Sequence, residues 1–174
     1  LHHVMHPKQP APNVAYGVDE NGNWGYQLTP TPGEANKGGI TNVILPEPTF
    51  SIESSVSYNT YRAVRAIITM PDDVPDDTKL CITTDGSEPT IANAVSNNNY
   101  NQRFNTSTVI RAKLISSKAI SPRSTCRSII IHPRQSKLPT ISIITDNKYL
   151  YDNTTGIFVN NNFYNDWRRP AYIE

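Results

Sequence analysis

The stretch CITTDGSEPT, residues 81–90, decides the fold, because it has the pattern of a strand that runs into a tight turn. The Asp85 side chain can accept hydrogen bonds from backbone amides about two residues on, Gly86 can adopt a positive φ, and Pro89 limits further ladder pairing. Asp85 and Glu88 therefore have two interpretations, a pair of working carboxylates or part of a turn. The local chemistry favours a turn motif of Asp85, Gly86, Ser87, Glu88 and Pro89.

Short strand candidates lie on both sides of this turn, separated by turn signals at the spacing of a β-sandwich. They cover residues 49–54, 61–70, 79–84, 108–115 and 125–131, with one or two more expected between 90 and 107. Few stretches rich in helix-forming residues interrupt them, so helix should be scarce. The predicted fold class is all-β: an immunoglobulin/fibronectin-like antiparallel β-sandwich with extended N- and C-terminal flanking segments.

Two of these candidates alternate apolar and polar residues with a period of two, which predicts one buried and one solvent-facing side. The predicted core positions are Val64, Ala66, Ile68 and Met70 in the first candidate, and Ile110, Ala112 and Leu114 in the second. The positions predicted to face water are Arg65, Thr69, Arg111 and Lys113. Such alternation is typical of an antiparallel sheet with one covered face, so two such sheets would make the sandwich.

The chain divides into an N-terminal flank at 1–46, the sandwich at 47–133 and a C-terminal segment at 134–174. In the N-terminal flank, NVAYGVDENGNWGYQ predicts a hairpin around Asn21-Gly22. The C-terminal segment is too short to own a core. Its predicted elements are a strand at 138–146, a short turn or helix at 147–152 and another strand at 154–159. We expect this segment to be mobile unless the sandwich buries Leu138, Ile141 and Ile143.

Composition narrows the classes of partner. Charged residues make up 18% of the 174-residue chain and the net charge is +1, with no Lys/Arg cluster beyond Arg168-Arg169, so nucleic acid is not an expected partner. No apolar run approaches the ~18 residues of a membrane span, and the N-terminus lacks a signal-peptide core. The start on Leu and the stop in mid-pattern suggest that both ends are cut from a longer protein.

Cys81 and Cys126 fall in separate strand candidates, which is compatible with a disulfide, two free thiols or a shared metal. No further Cys or His lies at zinc-finger spacing, so the metal interpretation is weak. Cys81 should point away from the side of its strand that carries Leu80 and Ile82, off the main core. These observations favour free thiols.

Over residues 47–131 the chain resembles the chitobiase/β-hexosaminidase C-terminal domain family. The match rests on a strand ending in Thr-x-Asp-Gly-Ser-x-Pro, a following strand of the T-x-V-I-R-A type and a Ser-rich approach to the last strand. The resemblance implies an immunoglobulin-like sandwich appended to secreted or surface proteins, usually without catalytic residues.

Both flanks resemble parts of other families. The N-terminal flank is similar to the closing segment of a lamin-tail-like domain, through Trp24, Pro30, Thr31, Pro32, Gly33 and Asn36. The C-terminal segment is similar to the beginning of a spore-coat protein H (CotH) kinase-like domain. That match is carried by Leu138, Pro139, Ser142, Asp146, Asp152, Gly156, Ile157, Trp167, Arg169, Pro170 and Glu174. It implies a bacterial surface or extracellular protein whose nucleotide- and metal-binding carboxylates, if it has them, would follow Glu174.

Two further sets of residues are candidates for binding. Clustered carboxylates suit Ca²⁺, which makes the loop of Asp72, Asp73, Asp76 and Asp77 a possible calcium site, although a solvated connecting loop is the favoured interpretation. Exposed aromatic rings can stack on sugars, and the candidates for this are Trp24, Tyr26 and Trp167. In small sandwiches such rings more often belong to the core or to strand pairs. No catalytic residue and no resident cofactor is predicted.

Three functions remain on these grounds. The first is a non-catalytic spacer or interaction module of a secreted or surface-anchored bacterial CotH-family protein, with other domains of the same chain as partners. The second is a carbohydrate-binding module for cell-surface glycan. The third is an accessory part of an atypical kinase that acts on surface or coat proteins, with its catalytic residues outside this chain.

Overall fold

The computed structural model describes residues 14–57, 61–132, 134, 138–159 and 161–174, and it is mostly β, as the sequence predicts. The strands are β1 Tyr16–Val18, β2 Trp24–Gln27, β3 Ile40–Thr41, β4 Thr49–Phe50, β5 Ser55–Ser57, β6 Val64–Thr69, β7 Lys79–Thr83, β8 Asn99–Phe104, β9 Thr108–Ile115, β10 Thr125–Ile131, β11 Ile143–Ile144 and β12 Tyr172–Ile173. One short helix, α1, spans Lys148–Tyr151, and 3-10 turns lie at Ile91–Asn93, Ser96–Asn98 and Asn162–Tyr164.

Strands β4 to β10 form the sandwich. One sheet has the order β4-β6-β8 and the other the order β5-β10-β9-β7, in which β5 runs parallel to β10 and the remaining pairs are antiparallel. In chain order and pairing, β4, β6 and β8 correspond to strands A, B and E of an immunoglobulin domain and β7, β9 and β10 to strands C, F and G, while β5 adds a fourth strand to the second sheet. The fold class is therefore an all-β immunoglobulin-like sandwich.

Of the strand predicted at 49–54 only Thr49–Phe50 is β, and the chain then crosses to the other sheet, where β5 begins at Ser55. Two serine hydroxyls satisfy backbone amides where the chain crosses over. The Ser51 hydroxyl accepts from the amide of Ile67 at 2.9 Å, and the Ser54 hydroxyl accepts from the amide of Ser128 at 2.9 Å. A buried amide without a partner is costly, so these hydroxyls stabilise the switch from one sheet to the other.

The core lies between the sheets where the alternation predicted it. Ala66 and Ile68 are buried, with Val64 and Met70 packed against them. The second sheet contributes Leu80, Ile82, Ile110, Ala112, Leu114 and Ile129. Leu45 joins this core from just before the predicted start of the domain. Burial of a large apolar side chain contributes about 1.5–3 kcal/mol, so these inward-facing residues account for much of the stability of the sandwich.

The stretch predicted to hold one or two strands contains one, β8. Before it, Asn97 and Asn98 adopt the positive φ angles 57° and 49°, which asparagine tolerates better than most residues. The Asn98 side chain accepts from the amide of Leu80 at 3.0 Å and donates to the carbonyl of Thr78 at 3.3 Å. An asparagine side chain thus satisfies the backbone at the start of β7 in place of another strand.

The N-terminal flank forms the predicted hairpin, and a third strand joins it in the order β1-β2-β3. The turn follows from Gly22, at φ +84°, and from the Asp19 carboxylate, which accepts from the amides of Asn21 and Asn23 at 2.9 and 2.8 Å. A bridge between Ile44 and Ile120 then connects the flank to the sandwich. The first 13 residues of the predicted flank lie outside the described residues.

In the C-terminal segment, β11 and β12 form an antiparallel two-stranded ribbon, and α1 occupies the predicted turn or helix. The prediction of a strand at 154–159 is wrong, because turns occupy that stretch. The carboxylate of Asp152 accepts from the amides of Thr154 and Thr155, each at 2.9 Å, and closes the backbone locally. The predicted boundary at 133 and the residues 135–137 lie outside the described part of the chain.

The residues by which the segment packs also differ from the expectation. Leu138, Ile141 and Ile143 are exposed, and Ile144 is the buried residue instead. Neighbouring residues of a strand point to opposite faces, so a shift of one position exchanges the buried and the exposed sets. The segment nevertheless lies against the sandwich, on the outer face of β9 and β10.

Candidate functional site

The turn at 83–89 is built by its own side chains. Asp85 Oδ1 accepts from the amide of Ser87 at 3.0 Å and from its hydroxyl at 2.6 Å, and these hydrogen bonds lower the pKa of the Asp85 carboxyl. Thr83 donates its hydroxyl to the Ser87 carbonyl at 2.6 Å, and Gly86 has φ +82°. The Asp85 carboxylate therefore supports the turn, and the Gly86 carbonyl and Glu88 are presented towards β9.

Arg111, on β9, is the centre of the site. Sequence alternation predicted that it faces water, and that prediction is wrong, because only 5% of its side chain is exposed. Nη1 donates to the Gly86 carbonyl at 2.8 Å and to Asp146 Oδ1 at 3.1 Å, Nη2 donates to Glu88 and to the Ser124 hydroxyl, and Nε also donates to Ser124. All five guanidinium N–H groups thus have an acceptor.

The partners of Arg111 come from two parts of the chain. Glu88 and Ser124 belong to loops of the sandwich, whereas Asp146 follows β11 in the C-terminal segment. Asp146 Oδ1 also accepts from the amide of Glu88 at 3.1 Å. Charges taken out of water cost several kcal/mol unless they are paired and hydrogen-bonded, and the hydrogen-bonding of Arg111 is complete only when the segment is in place.

Tyr172, on β12, completes the junction. Its ring lies 5.0 Å from the Arg111 guanidinium, a cation–π arrangement, and its hydroxyl is 3.0 Å from the Ser124 hydroxyl. Further along β10, the hydroxyls of Ser128 and Ser142 are 2.7 Å apart. Together with the buried side chain of Ile144, these contacts dock the segment on the outer face of the sandwich. We call this set of contacts the Arg111 junction.

A cleft of about 480 Å³ opens between the sandwich and the ribbon. Lys113, whose ammonium lies 3.4 Å from Glu88 Oε1, and the exposed Arg123 line it beside Glu88, Arg111 and Asp146. Both carboxylates of the cleft are ion-paired to Arg111. Asp85 therefore supports the turn, and Glu88 belongs to the ion-pair network.

The four aspartates of the candidate calcium site do not come together. Both carboxylate oxygens of Asp77 are hydrogen-bonded to the turn after β9, to the hydroxyls of Ser116 and Ser117 at 2.7 Å each and to the amide of Ser117 at 2.8 Å. These bonds lower the Asp77 pKa to about 2. Asp72, Asp73 and Asp76 have no place in this network, and the described residues contain no group of three or more His, Cys, Asp or Glu that could hold a metal ion.

The three candidate sugar-stacking residues lie in different surroundings. Trp24 is 50% exposed and stacks on Tyr16, with ring centroids 6.0 Å apart. Tyr26 is only 7% exposed and meets Tyr16 edge-on, so the suggestion that it offers a ring face to a sugar is wrong. Trp167 is 37% exposed, and the Arg169 guanidinium lies 4.5 Å from its ring. Trp24 belongs to the N-terminal sheet and Trp167 to the C-terminal segment, so the three do not form one platform.

Both cysteines are free and buried. Cys126 lies directly opposite Arg111 on β10, on the face that the segment covers, and burial raises its pKa to about 12. Cys81, on β7, carries its thiol outside the main core as predicted, but it too is buried, and burial raises its pKa. Because both thiols are buried and have raised pKa values, Cys81 and Cys126 act as small packing residues in this structure.

The residues that sequence reasoning missed are those of the Arg111 junction, above all Arg111, Ser124, Asp146 and Tyr172. The sequence shows an arginine in the middle of a strand and an aspartate just after another strand, but nothing near either residue identifies the other as its partner.

Among the described residues, no helix has the length and apolar character that a membrane crossing requires. Compared with protein-family models, curated proteins and solved structures, the chain gives no match.

Proposed function

We propose that this chain is a non-catalytic β-sandwich module that holds its C-terminal segment, and any domain joined to that segment, in a fixed orientation. The observation that supports this is the Arg111 junction, in which a buried guanidinium takes acceptors from the sandwich and from the segment. A flexible linker would need no such network. Domains of one chain move relative to each other by default unless a sizeable interface holds them.

The size of the segment supports the same function. A two-stranded ribbon is at best marginally stable alone in water, and β11 and β12 have only two residues each. Their order must therefore come from the sandwich. The buried charges also make alternative positions of the ribbon unfavourable, because in those positions Arg111 would lose acceptors. The module thus combines attachment with a defined direction.

The biological setting follows from the sequence resemblances and is part of the proposal. A chitobiase C-terminal-like sandwich before the beginning of a CotH kinase-like domain indicates a secreted or surface-anchored bacterial protein. Asp146, one of the positions that carry the second resemblance, also accepts the hydrogen bond from Arg111. In this setting the module would position the following domain, whether that domain is an atypical kinase or an interaction domain.

A second candidate function is carbohydrate binding, and one observation favours it. Trp24 exposes half of its surface and is held by stacking on Tyr16 in the N-terminal hairpin. An exposed and oriented indole is suited to stacking on a sugar ring. Saturable binding of a neutral polysaccharide that is lost in Trp24→Ala would establish this function.

Hydrogen exchange followed by mass spectrometry tests the positioning function. In the 174-residue chain, we expect the amides of the C-terminal segment to be protected, and Arg111→Met to increase their exchange roughly a hundredfold through a loss of about 3 kcal/mol. Arg127→Met is the matched control, since Arg127 contacts Glu53 and the Phe50 ring within the sandwich. Equal exchange in the two variants would overturn the proposal.

A further inference from the structure

Two adjoining clefts form a groove along the outer face of β9. The cleft at the Arg111 junction meets a second cleft of about 470 Å³, which lies between the N-terminal sheet and the turn after β9, and Lys113 lines both. From Arg111 to Ser116 the groove extends about 17 Å at ~3.3 Å per residue. Each cleft has the volume of a small-molecule site, and their union suits an extended ligand.

The charges in the groove leave a positive excess. Arg111 donates all its N–H groups within the Arg111 junction. Lys113 has Glu88 as its ion-pair partner, at 3.4 Å. Arg123 lines the first cleft and has no ion-pair or hydrogen-bond partner in the described part of the chain. The first cleft therefore has three cationic side chains and two carboxylates. The cation without a partner, Arg123, is exposed to solvent.

Apart from Lys113, the polar side chains that line the second cleft are uncharged. Gln27 is 4% exposed, and neither its amide nitrogen nor its amide oxygen has a hydrogen-bond partner within the described residues. Ser116 and Ser117 line the facing wall, and their hydroxyls, which donate to Asp77, can still accept hydrogen bonds from a ligand. A buried amide without partners costs about 1–3 kcal/mol. A ligand with adjacent hydroxyls can supply both a donor and an acceptor to such an amide.

We propose that this groove binds an acidic polysaccharide, a chain of polyhydroxylated sugar units that carry carboxylates. The carboxylates would pair with Arg123 and Lys113, and the sugar hydroxyls would bond to Gln27 and to the serines of the second cleft. An extended peptide is disfavoured because β9 is hydrogen-bonded to β10 on one side and to β7 on the other. Its backbone therefore offers no free edge for strand addition. This inference goes beyond the positioning function.

Polygalacturonate is the probe, titrated into the 174-residue chain with EDTA present to prevent bridging by metal ions. Dextran serves as the neutral glycan and poly-glutamate as the acidic peptide. We expect saturable binding of polygalacturonate that weakens as salt is added. Arg123→Gln should lower the affinity about tenfold, the effect of losing one charge-assisted hydrogen bond. Arg103→Gln makes the same charge change on β8 of the other sheet and should leave the affinity unchanged.

Gln27→Met provides a second variant that does not depend on charge. It removes an amide without partners, so the free energy of unfolding should stay the same or rise while the affinity for polygalacturonate falls. The proposal is overturned by no saturable binding, by equal binding of dextran, by equal or tighter binding of poly-glutamate, or by an unchanged affinity in Arg123→Gln. Arg123 has no contact in the Arg111 junction, so hydrogen exchange of the segment in Arg123→Gln reports separately on the positioning function.

Discussion

Two arginines in the middle of strands, Arg65 on β6 and Arg111 on β9, occupy the same place in the same sequence pattern but have opposite surroundings. Arg65 is exposed, donates to the Asn101 side chain at 2.9 Å and lies opposite Arg103, a like charge that water screens. Arg111 is buried beneath the C-terminal segment with all its donors satisfied. One outer face of the sandwich is therefore a surface, and the other is an internal interface.

This difference shows what alternation along a strand encodes. The pattern identifies the face that packs in the core, and it does so correctly for both strands. It contains no information about the opposite face, because a charged residue there is compatible with water and with a buried partner of opposite charge. Whether a second layer covers the sheet depends on residues far away in the sequence.

The largest expected effect comes from exchanging each arginine for methionine. Arg111→Met leaves the carboxylates of Glu88 and Asp146 without their shared cation, and we expect the free energy of unfolding to fall by about 3 kcal/mol. Arg65→Met should change it by no more than about 0.5 kcal/mol, as at other exposed positions. Urea denaturation at neutral pH measures both values. Similar losses for the two variants would remove the distinction between the faces.

Much of the sandwich could be predicted from the sequence. The residues Ile110, Ala112 and Leu114 alternate strictly, and a strand with one apolar side has only one favourable orientation against a core. The turn at Asp85-Gly86 combines a side chain that caps its own backbone with a residue free to adopt positive φ. These are local signals, so one sequence is sufficient to detect them.

The Arg111 junction could not be predicted, because it depends on pairings over long separations. Asp146 follows Arg111 by 35 residues, and nothing near either residue specifies the other. The prediction of which side of β11 is buried failed because it followed the apolar positions. Residues 141–144 read Ile-Ser-Ile-Ile, so alternation favoured burial of Ile141 and Ile143. The opposite side, with Ile144 buried and the Ser142 hydroxyl 2.7 Å from that of Ser128, is the one that packs on the sandwich. The predicted strand at 154–159 failed because the side chain of Asp152 competes for the backbone amides.

A smaller effect is expected at the turn that presents Gly86. Gly86→Ala forces a side chain into positive φ, which costs about 1 kcal/mol, and it displaces a carbonyl that Arg111 needs. Gly22→Ala, at φ +84° in the N-terminal hairpin, has the same backbone cost and no contact with Arg111. We expect the loss in unfolding free energy to be larger for Gly86→Ala. If the losses are equal, the position of the carbonyl contributes nothing to docking.

The smallest expected effect is at the end of β9, where Asp77 holds the turn that leads to β10. Its hydrogen bonds to Ser117 and Ser116 lower its pKa from the ordinary 3.8 to about 2. A carboxyl whose pKa is lowered by folding stabilises the folded protein at pH values above the pKa it has in the unfolded chain. That stabilisation is lost as the pH falls from 3.8 towards 2. Asp77→Asn should therefore show a shallower loss of stability over this range than the parent chain, in acid titrations followed by circular dichroism. Asp76→Asn, a neighbouring exposed aspartate, is the control for the change in charge.

The thiol of Cys126 gives the most direct measurement of whether the segment covers the sandwich. Cys126 lies opposite Arg111 under the segment, and burial raises its pKa to about 12, so it should resist iodoacetamide in the native protein. Asp146→Ala removes the acceptor that the segment offers to Arg111 and should expose Cys126 to alkylation. Cys81, on β7 beside Ala94, is the internal reference and should remain unmodified. Alkylation of Cys126 in the variant but not in the parent chain is the predicted result, and equal modification of Cys126 in both proteins would contradict the account.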